Sequence, residues 1–83
     1  MMIKMIDIEN TSKNIKELIK KSGIKISEMQ KIFGFDSPQS LYKWMSCKYM
    51  NLPTLQNCVI LADILHCKID DLLVIKDTEV KED

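Results

Sequence analysis
The chain has 83 residues, 46% hydrophobic and 29% charged, with only two glycines and two prolines. This is enough apolar material for one small domain with a single modest core, and it excludes a wholly disordered chain. No apolar run approaches the roughly 18–20 residues of a membrane span, and the start, Met1 to Asp7, lacks the features of a secretory signal, so a soluble cytoplasmic protein is expected. Net charge is zero, but eight lysines face three acids between Lys13 and Lys48, whereas three lysines face seven acids from Asp63 to Asp83. Such asymmetry hints at a polyanion-facing surface beside an acidic tail. Every basic side chain is a lysine; there is no arginine.

Helix signals dominate in chain order. Residues 1–10 form an arm in which Ile3, Met5, Ile6 and Ile8 give only a weak strand signal. Thr11 or Ser12 is suited to N-cap a helix carrying Ile15, Leu18 and Ile19 at i, i+3, i+4, with Lys20 and Lys21 in its last turn and Gly23 as its stop. A second helix carries Ile26, Met29, Ile32 and Phe33 and ends at Gly34. Ser37-Pro38 opens a third, with Leu41, Trp44 and Met45 on its inner side and Gln39, Tyr42, Lys43 and Ser46 on its outer side. After Pro53-Thr54, an inward stripe of Leu55, Cys58, Leu61, Ala62 and Leu65 predicts a fourth helix, and Ile69, Leu72 and Leu73 mark a short fifth. The acidic tail, 76–83, carries no cap and is expected to be frayed or disordered. The reading is all-α: five short helices within 11–75.

Two short helices joined by a Gly-containing turn are the signature of a helix-turn-helix. Met29-Gln30-Lys31-Ile32-Phe33-Gly34-Phe35, then Ser37-Pro38-Gln39-Ser40-Leu41-Tyr42-Lys43-Trp44, resembles the Cro and phage-repressor type (XRE-like) regulators. Pro53-Thr54-Leu55, Leu61-Ala62, Leu65 and Ile69-Asp70-Asp71-Leu72-Leu73 extend the likeness over the family's last two helices. The resemblance implies a lambda-repressor-like domain that binds double-stranded DNA. The chain departs from the pattern in a Gly34–Trp44 stretch one residue longer than usual. Gln30 stands where a small residue is usual, Cys47 and His66 stand where glycines often end helices, and Ile26 replaces a polar phosphate-gripping residue.

In such a motif the second helix, here 37–47, lies in the major groove and its N-terminal residues touch base edges. The resemblance therefore assigns base contacts to Ser37, Gln39, Tyr42 and Lys43. Gln can pair with adenine through two hydrogen bonds, and with no arginine present any guanine readout falls to lysine. Phosphate contacts fall to Lys25, Lys31, Ser40 and Lys48, with the backbone amides that open the second and third helices. An exposed lysine is more simply a solvated side chain, and Trp44, on the Leu41 side, is more simply core.

Sharper chemistries find no support. Cys47, Cys58 and Cys67 form no close pair and only His66 stands near, so no metal site, cofactor or disulfide framework is expected. One histidine, no nucleophile–base pattern and no Gly-rich phosphate loop argue against an enzyme. Two functions remain. The first is a sequence-specific transcriptional regulator, a repressor, acting as a homodimer on a pseudo-palindromic site. The second is a protein-interaction module on the same scaffold, such as an antitoxin or an anti-repressor bound to a second protein chain, kept open by the zero net charge and missing arginine.

Overall fold
The computed structural model describes residues 1–81. Five helices are present: α1 (Ile8–Ser22), α2 (Ile26–Phe33), α3 (Gln39–Trp44), α4 (Leu55–Ile64) and α5 (Ile69–Leu72). The fold is not purely all-α. Two strands, β1 (Met2–Ile6) and β2 (Ile75–Glu79), pair antiparallel and join the two ends of the chain. Lys4 lies directly opposite Asp77, and their charged groups meet at 3.2 Å. The stretch expected to be frayed is thus paired as far as Glu79, while Glu82 and Asp83 lie outside the described residues. Local periodicity gives this ribbon only a weak signal, in β1, because each strand is stabilised by a partner 69–77 residues away in sequence, and neither alternates cleanly.

α1 starts earlier than Thr11 because Asp7 caps it: the Asp7 carboxylate accepts from the Asn10 amide at 3.0 Å and from the Asn10 side chain at 2.8 Å. Those bonds hold the Asp7 carboxyl below the usual range, the backbone bond most of all. Thr11 and Ser12 are instead buried inside the helix. The Thr11 hydroxyl donates to the Val74 carbonyl at 3.3 Å and accepts from the Val74 amide at 2.9 Å. The Asn14 side-chain amide donates to the carbonyls of Asp71 and Leu72, so α1 satisfies backbone groups at the end of α5 and leads the chain into β2.

Every helix contributes to one core: Ile15 and Ile19, Met29, Leu41 and Trp44, then Cys58, Leu61 and Ala62, and finally Leu72. Burial pushes the Cys58 thiol pKa up, which keeps it a protonated, small apolar side chain. Two residues expected inward are exposed. At about 100° per residue, Ile26, Met29 and Phe33 share one side of α2 and Ile32 turns away. Leu55, in the first turn of α4, is 83% exposed.

The helix ends explain the departures in glycine. Gly34 is left-handed at φ 73°, and α2 closes with bonds from the Gly34 amide to Lys31 and from the Phe35 amide to Gln30. α4 ends in the same pattern with no glycine: His66 sits at φ 55°, its amide bonding Asp63 and the Cys67 amide bonding Ala62. Cys47 is not left-handed; after α3 that conformation passes to Met50, at φ 50°.

Candidate nucleic-acid interface
The α2–α3 turn is held from inside. The Phe33 and Phe35 rings stack at 5.3 Å, and both meet Trp44 edge-on, at 5.2 and 5.7 Å. The Gln30 side chain donates to the Phe35 carbonyl at 3.1 Å, a use for the residue that replaces a small one. Between the two helices, Pro38 takes the cap position of α3, its carbonyl accepting from the Tyr42 amide at 3.2 Å. The helix expected over 37–47 is therefore shorter, and Ser37 precedes it with no capping bond. Its last turn tightens, the Met45 and Ser46 amides bonding three residues back to Tyr42 and Lys43.

Leu41 and Trp44 anchor α3 to the core, which turns Gln39, Ser40, Tyr42 and Lys43 outward, all exposed. Gln39, Tyr42 and Lys43 line a shallow depression of about 270 Å³ together with Tyr49. The Lys43 ammonium stands 5.9 Å from the centre of the Tyr49 ring, within cation–π range. Tyr49 escaped sequence reasoning, because it lies in the loop after α3 and only the tertiary turn brings it back. Lys25 is the cap residue of α2, where no side chain bonds the first-turn amides, and it lines a separate cleft with Tyr42. Lys31, on the last turn of α2, and Lys48, after α3, are exposed, and neither lines the depression.

The ion pairs among the described residues join the Met1 amino group to Glu79, Lys4 to Asp77, and Lys13 to Glu9. Lys25, Lys31, Lys43 and Lys48 take part in none of these pairs. Among the described residues no three His, Cys, Asp or Glu side chains gather where they could hold a metal, and no helix is long and apolar enough to cross a membrane. The Cys47 thiol donates to the Glu9 carbonyl at 3.5 Å and that of Cys58 to Pro53 at 3.6 Å.

A bundle with a Gly-closed turn between two short helices, the second anchored by one side and polar on the other, is a helix-turn-helix domain. Residues 14–78 match the Cro/C1-type HTH DNA-binding domain, and the chain belongs to that family. No curated protein and no solved structure matches the chain significantly. Its family is a DNA-binding one, and the protein is a DNA-binding helix-turn-helix protein.

Proposed function
We propose that the protein is a sequence-specific transcriptional repressor that acts in the cytoplasm as a homodimer on a pseudo-palindromic operator. The carrying observation is the outer side of α3, where Gln39, Tyr42 and Lys43 stand together and exposed over a buried anchor. A helix fits the major groove, and these side chains offer an adenine partner, a thymine-methyl contact and a guanine donor. Ser37 reaches bases from the turn before the helix. Lys25, Lys31, Ser40 and Lys48, with the uncapped amides at the start of α2, hold phosphates and set affinity and salt dependence.

One six-residue helix reads few bases, so two copies lengthen the site. The terminal ribbon supports this: Met2, Ile3, Met5, Ile6 and Ile75 are exposed on a two-stranded sheet, an arrangement that is marginal alone and has open edges. The same apolar surface, with zero net charge, favours the second reading, an antitoxin or anti-repressor whose ribbon contacts another protein chain.

Fluorescence anisotropy of the DNA upstream of the protein's own gene, against scrambled duplex at two salt concentrations, tests the repressor reading. Preference for the native fragment that persists at the higher salt supports base readout; equal, salt-sensitive binding to both, or none, opposes it. Co-purification of a stoichiometric second chain marks the interaction module.

A further inference from the structure
A cleft of about 600 Å³ opens where the end of α1, the α1–α2 turn and α3 meet. Its walls are apolar: Ile19 is buried, and Ile24, Ile26 and Met45 are half-buried and packed against the same core. The rim is basic. Lys16, Lys20 and Lys25 are exposed around it, and none takes part in an ion pair among the described residues. The start of α2, without a side-chain cap, opens on the same edge through Lys25 and Ile26, and its dipole adds to the positive potential. The volume lies within the roughly 300–1,000 Å³ of small-molecule sites.

An apolar floor under a one-signed rim is complementary to a molecule with a hydrocarbon body and one anionic head. A DNA phosphate answers only the rim, and a neutral hydrocarbon only the floor. We propose that this cleft binds a free amphipathic carboxylate of medium-chain fatty-acid size, and that the ligand lowers affinity for DNA. Its chain lies against Ile24, Ile26 and Met45, and its carboxylate meets Lys16, Lys20 and Lys25. Tyr42 couples the two surfaces, since it lines both the cleft and the depression shared with Gln39 and Lys43. The carboxylate also competes with a DNA phosphate for Lys25 and the α2 amides. The DNA effect rests on the proposed role of α3; ligand binding does not.

Decanoate, kept below its micelle concentration, is titrated into the methyl-labelled full chain without DNA, with 1-decanol as the uncharged control. The expected result is saturable shifts at the methyls of Ile19, Ile24, Ile26 and Met45, with binding about tenfold weaker for 1-decanol and for the doubly substituted K16E/K20E chain. Both substitutions are at exposed α1 positions, and an unchanged unfolding temperature verifies that the variant is folded. No saturation, equal affinity for 1-decanol, or shifts centred on the ribbon methyls of Met2, Met5 and Ile75 would overturn the site. In a second arm, decanoate is added to the protein–DNA complex. A raised apparent Kd supports the competition, and an unchanged one with the cleft methyls still shifted overturns it. Absence of specific DNA binding before decanoate is added counts against the reading of α3 and leaves the methyl result standing.

Discussion
Exchanging the residues at two left-handed helix ends should move stability in opposite directions. Gly34 closes α2 at φ 73°, and a Cβ built there meets nothing within 4 Å. The effect of Gly34→Ala is therefore conformational and not a clash. A left-handed non-glycine residue costs about 1–2 kcal/mol, and the lower entropy of the unfolded alanine chain returns about 0.4–1 kcal/mol. The net loss is about 1 kcal/mol, or roughly 4–8 °C in unfolding temperature for a domain this size. His66, exposed at φ 55°, is the reverse case. His66→Gly relieves about 1–2 kcal/mol and incurs about 0.5–1 kcal/mol of glycine entropy, which leaves a gain of about 0.5–1 kcal/mol. Thermal unfolding followed by Trp44 fluorescence, the chain's only tryptophan, reads both. A Gly34→Ala chain as stable as wild type, or a His66→Gly chain less stable, would refute the assignment of strain to these two ends.

Three further outcomes are expected. Because two Asn10 bonds depress the Asp7 carboxyl, its contribution to stability is present above the unfolded pKa of about 3.9 and is lost as pH falls through the lower folded value. Asp7→Ala should therefore unfold at lower temperature than wild type at neutral pH, and the gap, followed by circular dichroism, should close on acidification below the ordinary aspartate range. The wild-type chain should sediment as a dimer at the concentrations where it binds operator, and I3K/M5K, two charges on one side of β1, should sediment as a folded monomer. Tyr49→Ala removes the ring beside Lys43 and should weaken operator binding by about two- to fivefold in anisotropy, the worth of an exposed cation–π contact.

How much of the molecule could be read in advance follows from the range of the interactions involved. α1 to α5 are local structures, and stripes such as Ile15–Ile19 and Cys58–Leu61–Ala62 announce which side is buried. The outward placement of Gln39 and Lys43 followed from the same arithmetic once Leu41 and Trp44 were recognised as anchors. The ribbon is legible only as the weak strand signal of the N-terminal arm, because Met2–Ile6 becomes a strand through pairing with the distant Ile75–Glu79. Thr11 and Ser12 look like caps by residue type, but both are buried and Thr11 bonds Val74, so α1 starts earlier than residue type suggests. Tyr49 and the basic rim of the cleft depend on tertiary approach: only the fold sets Lys16 and Lys20 around one cleft with Tyr42 and Met45.

The central claim is that individual side chains of α3 read individual bases. Selecting a preferred duplex from a randomised pool, then measuring wild type, Gln39→Ala and Lys43→Ala on that duplex and its single-base variants, tests it most directly. Each substitution should weaken binding to the preferred site by about 1–3 kcal/mol and erase discrimination at one base pair while the other positions keep theirs. Loss spread evenly over all duplexes, or no loss, would contradict the claim and return Gln39 and Lys43 to the ordinary polar surface.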